Sequence, residues 1–172
     1  AKELNLKFPT FNARSEDIMS KATWKGPVKT HRAIIPVSGY YEWKTAADGA
    51  KTPFYIHPPA GDTMALAGLY SWWSNKALPE DHEDFWTLTA TILTSSAVDE
   101  LLNIHDRNPV PLPREWWDDW LNPELEGDQS FVDAAVAAAV TVAESLEFYQ
   151  VGPVRGNGPE LVEPVSASTD RK

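Results

Sequence analysis

The 172-residue chain contains no cysteine. Disulfides, thiolate metal sites and a cysteine nucleophile are therefore excluded for these residues. Its four histidines, His31, His57, His82 and His105, fall at no ligand spacing such as HxxxH, so no zinc or other metal site is expected. No G-rich phosphate loop is present and no cofactor is expected. No apolar run approaches the about 20 residues that span a bilayer. The opening AKELNLKFPT has neither an apolar h-region nor a small-residue cleavage site. The expectation is a cytoplasmic protein without membrane contact.

Positive charge is also in short supply. Fifteen Lys and Arg stand against 25 Asp and Glu, a net of −10, which argues against bulk electrostatic binding of nucleic acid. The deficit is uneven. Residues 1–57 carry nine basic and five acidic side chains, a net of +4, whereas residues 58–172 carry six and twenty, a net of −14. Two readings stay open: a plain solvated acidic surface, or a local basic face in the first third that the total conceals.

What is abundant is apolar and aromatic surface. Hydrophobic residues make up 42% of the chain and eight are tryptophan, enough for one domain with a sizeable core. The domain is expected over residues 1–165, with SASTDRK (166–172) as a disordered tail. Residues 1–11 read as extended. Ser15 ahead of EDIMSKATW reads as an N-cap and short helix, with Glu16 and Asp17 in its first turn. RAIIPVSGYYEWK (32–44) is strand-like, with a bend or bulge at Gly39. AADGAK marks a hairpin turn returning into TPFYIHP. TMALAGLYSWW and DFWTLTATILT are longer strands, and AVDELL is a short helical turn. REWWDDWL and DQSFVDAAVAAAVTVAESL read as helices, and EFYQV and ELVEPV as closing strands. The pattern predicts an α+β fold: a mainly antiparallel, strongly curved sheet or open β-barrel with peripheral helices.

Three segments place polar groups where strand physics does not require them. In NARSE, Asn12 and Arg14 precede a helix. Either Asn12 and Ser15 satisfy free backbone N–H groups, or the helix N-terminus is an anion site with Arg14 complementing a phosphate. In GYYEWK, alternation puts Tyr40, Glu42 and Lys44 on one face and Tyr41 and Trp43 on the other. Glu42 is then either a solvated carboxylate or one half-buried among aromatics and raised toward the range useful for proton transfer. In LLNIHDRNPVPLP, His105 sits beside Asp106 and Arg107 on a loop stiffened by Pro109, Pro111 and Pro113. His105 is a candidate acid/base, and Asp106 or Arg107 a tie for the loop. Trp116, Trp117 and Trp120 recur at helical spacing and read as core, whereas Trp24 and Trp43 lie in the basic third, where base stacking is open to them.

In order, NARSE, RAIIPVSGYYEWK, TPFYI, a strand ending near Thr94, IHDRNPV, WWDDWLNP and VRGNGPELVEPV resemble the SOS response-associated peptidase (SRAP) family over about residues 12–165. The resemblance implies recognition of abasic sites in single-stranded DNA. The family's nucleophile is a cysteine exposed at the mature N-terminus, within a starting MCGR. Its α-amine, with a pKa of about 7.7–8.0, condenses with the sugar aldehyde, and its thiol closes a thiazolidine ring. The product is a stable DNA–protein crosslink, and an autopeptidase activity removes the leading residue. Residue by residue, the resemblance implies that Asn12 and Arg14 position the terminus and a phosphate. It implies that Glu42 handles protons at the amine and sugar, and that His105 assists sugar opening. Thr94 would line the pocket and Trp43 would contact DNA. It also implies nucleoid association when bound to DNA.

The departures are as informative. The MCGR start and the WGLIP-like segment ahead of NARSE have no counterpart, and HDRNP replaces the usual HDRMP. The expectation is an N-terminally shortened member, inactive as given: a fragment, a late-started gene model or a degenerate paralogue. A homodimer through an exposed sheet edge is expected with it. The alternatives are a non-catalytic single-stranded-DNA-binding or structural module, and, last, a small-molecule hydrolase using Glu42 and His105.

Overall fold

The computed structural model describes residues 10–165. The expectations for the first nine residues and for the tail fall outside the described residues. The described residues fold into two sheets and three α-helices. The first sheet contains β1 (Asn12–Arg14), β2 (Arg32–Val37), β5 (Met64–Ser74), β6 (Trp86–Ser96) and β7 (Arg107–Pro109), and the second contains β3 (Tyr40–Thr45), β4 (Lys51–His57) and β8 (Glu147–Gln150). The first runs β1-β6-β5-β2 with β7 also on β6, and the second runs β3-β4-β8. Among the described strands every pairing is antiparallel except β1 with β6. The fold is α+β, and the sheets do not close into a barrel.

Strand alternation gives the first sheet two apolar faces. On one, Ala13, Ala67, Leu69 and Leu93 pack with Trp120 of α2 (Trp117–Leu121) and with Val132, Ala135 and Ala139 of α3 (Gln129–Glu144). On the other, Leu66 and Ile92 meet Tyr40, Phe54, Ile56 and Phe148 of the second sheet. Trp120 is fully buried, donates Nε1–H to the Ala33 carbonyl at 2.9 Å and stacks on Phe131 at 5.8 Å. The helical spacing of the tryptophans thus does mark core, with Trp116 and Trp117 packed against it. Asp128 caps α3 by accepting from the Phe131 amide at 2.8 Å, leaving its alanine-rich body free to lie close to the sheet.

The structure corrects two local expectations, at Ser15 and ELVEPV, and sharpens a third, the bend at Gly39. Ser15 is not a helix cap. It is 3% exposed, its amide donates to the Thr94 carbonyl at 2.9 Å, and α1 (Ala22–Thr30) begins only after a 3-10 turn at Ile18–Ser20. A ladder amide satisfied by a strand 79 positions away leaves no local trace in the sequence. The stretch 32–44 is two strands in two sheets, and Gly39 lies at the crossing, where a Cβ would stand 2.4 Å from the Tyr55 ring. ELVEPV is not a strand: Pro159–Val162 is a 3-10 turn, followed by a single bridge between Val151 and Pro164.

Candidate functional site

The short strand β1 sets one wall of the site. Ala13 faces the core and is 1% exposed, so its neighbours Asn12 and Arg14 point the other way and are exposed. β1 runs parallel to β6 with Asn12 opposite Ile92 and Arg14 opposite Thr94. After Ser15 the chain leaves the sheet through Asp17, a non-glycine residue in the left-handed region at φ 54°. This turn brings Glu16, Asp17, Lys21 and Trp24 around an open pocket of about 640 Å³ that Asn12, Arg14 and Arg107 also line.

Arg107 ties the pocket together. Its guanidinium meets Glu16 with Nη1–Oε1 at 2.7 Å and Nη2–Oε2 at 2.9 Å, and Nη2 also donates to the Thr94 carbonyl at 2.6 Å and to Thr94 Oγ1 at 3.2 Å. The bidentate bond to Arg107 holds the Glu16 carboxyl below its usual range. Burial opposes this and the Glu16 and Ser96 amides reinforce it. Arg107 therefore takes the anchoring part expected of the loop. The sequence places Glu16 among the polar groups at a helix entry, with no sign of its partner 91 residues away. With Arg107 neutralised by Glu16, Arg14 forms none of the ion pairs found among the described residues and stands as a cation on the pocket wall.

His105 follows the 3-10 turn at Asp99–Asn103, its amide donating to the Leu101 carbonyl at 3.1 Å. The ring is half-exposed. Nδ1 lies 3.1 Å from the Arg107 amide and 3.0 Å from Asp106 Oδ1. One nitrogen cannot serve both at once. A neutral ring with Nδ1 unprotonated accepts from Arg107, whereas an imidazolium offers Nδ1–H to Asp106. The loop therefore has a partner ready for either protonation state. Asp106 is 82% exposed, so that ion pair adds little stability.

Glu42 lies on the second sheet. It pairs in register with Phe54, accepts from the Trp43 amide at 3.0 Å, and shares a strand face with Tyr40. Tyr40 is half-buried, its enclosed hydroxyl has no partner among the described residues, and burial, followed by the charge of Glu42, pushes its pKa well up. Tyr40 and Phe54 pack in the same cluster as Ile92, opposite Asn12, and Ile104, next to His105. The inter-sheet core thus gathers the immediate neighbours of Asn12, Glu42 and His105. Trp43 is placed differently: it points to the opposite face of β3 and lines a separate groove with Lys51, Gln150 and Arg155. Thr94 is 8% exposed and reaches the pocket through Arg107.

Residues 1–157 match the family model described as SOS response associated peptidase (SRAP). The chain is similar to the abasic site processing protein YoqW of Bacillus subtilis, with 32% identity over 167 residues, covering 95% of this chain and 70% of that protein. It is also similar to the abasic site processing protein YedK of Escherichia coli, with 29% identity over 163 residues, 92% of this chain and 69% of that protein. Among solved structures, a Bacteroides thetaiotaomicron protein superposes with a TM-score of 0.74 at 26% identity, over 91% of this chain and 66% of that one.

Proposed function

This chain belongs to the SOS response associated peptidase family, and on that premise we propose that it recognises abasic sites in single-stranded DNA. The observation that carries the reading is the pocket in which Asn12 and Arg14 stand side by side while Arg107 is held by Glu16 and Thr94. An abasic nucleotide offers an anionic phosphate and a sugar with no base attached. Arg14 complements the phosphate, and Asn12 hydrogen-bonds the sugar oxygens that a base would otherwise screen. His105 exchanges a proton at the ring oxygen as the sugar opens to its aldehyde, and Glu42 handles protons from the inter-sheet side. Lys21 and Arg14 make this wall locally basic on a chain of net charge −10. Binding here is therefore focused at one pocket rather than spread over the surface.

The chain as given supplies no thiol, so it holds the opened sugar without closing a thiazolidine. A second reading is a binding module that keeps the fold without the chemistry. Fluorescence anisotropy with an abasic single-stranded oligonucleotide, the intact strand and a duplex tests the proposal. Preference for the abasic strand, weakened at least tenfold by Arg14→Ala, supports it, and equal binding of abasic and intact strands sinks it. If abasic binding holds while His105→Ala leaves the exchange of the sugar between closed and aldehyde forms unchanged, the second reading is the right one.

A further inference from the structure

The face of the first sheet that is buried at Leu66 and Ile92 continues past the second sheet and stays apolar. In successive register rows it carries Tyr70 with Ala90, Trp72 with Leu88, and Ser74 with Trp86. Trp72 is 55% exposed, Leu88 55% and Trp86 50%. Single exposed apolar side chains are common on protein surfaces, but three large ones in adjoining rows form a patch that marks a contact site. The loop joining the two strands, residues 75–85, adds Glu80, Asp81, Glu83 and Asp84, all exposed, within five positions. The Trp86 ring already lies within 6.0 Å of a cation, Lys76 Nζ, which also sits over Phe85 at 4.9 Å.

We propose that this hairpin is a docking surface for a basic segment of another protein, one that presents apolar side chains to Trp72, Leu88 and Trp86 and Lys or Arg to the acidic loop. The charge selects the partner. Nucleic acid would bring phosphates against the four carboxylates of the loop, although Lys76, His82 and, beside Trp72, Lys29 and His31 lie nearby. A second copy docked face to face would set two such loops against each other, and like charges in one interface strongly disfavour it. A basic segment gains from both features: its apolar groups cover the patch, and its cations meet carboxylates and exposed indole faces. Because β6 also carries Thr94 and Ile92 at the candidate site, the partner would be seated at the far end of the strand that frames the pocket.

The 172-residue chain is titrated with a dye-labelled peptide of alternating leucine and lysine, and in parallel with the same peptide carrying glutamate for lysine. The expected result is a blue shift of tryptophan emission and at least tenfold tighter binding of the lysine peptide. Leu88→Thr with Trp86→Ser should weaken that binding tenfold or more. Neutralising the loop (Glu80→Gln, Asp81→Asn, Glu83→Gln, Asp84→Asn) should weaken it similarly and abolish its salt dependence, at unchanged circular dichroism. Equal affinity for the two peptides overturns the proposal, as does insensitivity to both sets of variants. So does tighter binding of an intact single-stranded oligonucleotide that the hairpin variants remove, or self-association in sedimentation that Leu88→Thr abolishes.

Discussion

Glu16 and Arg107 meet as a two-point ion pair, at 2.7 and 2.9 Å, across 91 residues of sequence. The pair joins the turn after β1 to the start of β7, so the pocket floor and the His105 loop are fixed to each other. Arg107 is mostly buried, and its Nε has no partner among the described residues, so the guanidinium depends on Glu16 and Thr94 for compensation.

Glu16→Gln should therefore cost stability in a pH-dependent way. The carboxyl sits below its ordinary value in the folded chain, so its contribution is fully present above the ordinary carboxylate range and is lost as pH falls through the folded value. Glu16 is half-exposed, and about 1 kcal/mol at pH 7 is the scale to expect. Urea unfolding at pH 7 should show that gap between the parent chain and the variant. At pH 3 the gap should shrink. A gap of constant size would mean that the pair acts through packing and not through charge.

Asn108→Met should stabilise the chain. Asn108 is 3% exposed, and its Nδ2 donates to the Pro109 carbonyl at 2.6 Å, but its buried Oδ1 has no partner among the described residues. It lines a small internal gap with Val98, Val136, Ala139, Val140 and Ala143. Removing an unsatisfied buried oxygen and filling apolar space is worth about 1–3 kcal/mol. Thermal melting should rise by several degrees, and a fall would show that the amide is satisfied in solution.

Arg32 offers the opposite case. It is 5% exposed and donates to the carbonyls of Val28, Lys29, Trp120, Asn122 and Leu125, with its guanidinium 4.9 Å above the Phe131 ring. It gathers the ends of α1 and α2 and the loop into α3. A lysine keeps the charge but presents a single ammonium that cannot reach three separate stretches of backbone. Arg32→Lys and Arg32→Met should each cost about 3–5 kcal/mol, because either leaves several buried carbonyls without donors. A denaturation midpoint for Arg32→Lys close to that of the parent would refute the account.

Much of this was legible in the sequence, for reasons that can be named. Alternation in TMALAGLYSWW and WTLTATILT marks two strands because their two faces meet different cores. Trp120 is readable because helical spacing repeats every turn. What stayed hidden depends on distance along the chain. The amide of Ser15 belongs to Thr94, Glu16 belongs to Arg107 and Arg32 belongs to Trp120, and none of these partners is close in sequence. The segment after Val151 reads as a strand from its apolar residues, yet only Val151 and Pro164 pair, because Pro159 opens a 3-10 turn first. The opposite placement of Glu42 and Trp43, by contrast, follows from alternation along one strand and holds in the structure.

The last prediction concerns covalent capture. An abasic sugar in its open form carries an aldehyde, which a primary amine attacks to form an imine with loss of water. An imine hydrolyses readily unless a neighbouring thiol closes it into a ring, and this chain has no thiol. On the pocket wall Lys21 is a primary amine, whereas Arg14 and Arg107 are guanidinium groups that stay protonated and do not attack carbonyls. An abasic single-stranded oligonucleotide incubated with the 172-residue chain should therefore give no heat-stable adduct on a denaturing gel. With borohydride present, a reduced amine adduct should appear, and Lys21→Arg should diminish it if the sugar lies in this pocket. A stable adduct without reductant would require a nucleophile other than a thiol to close the ring, and the chemistry of the site would have to be rebuilt around it.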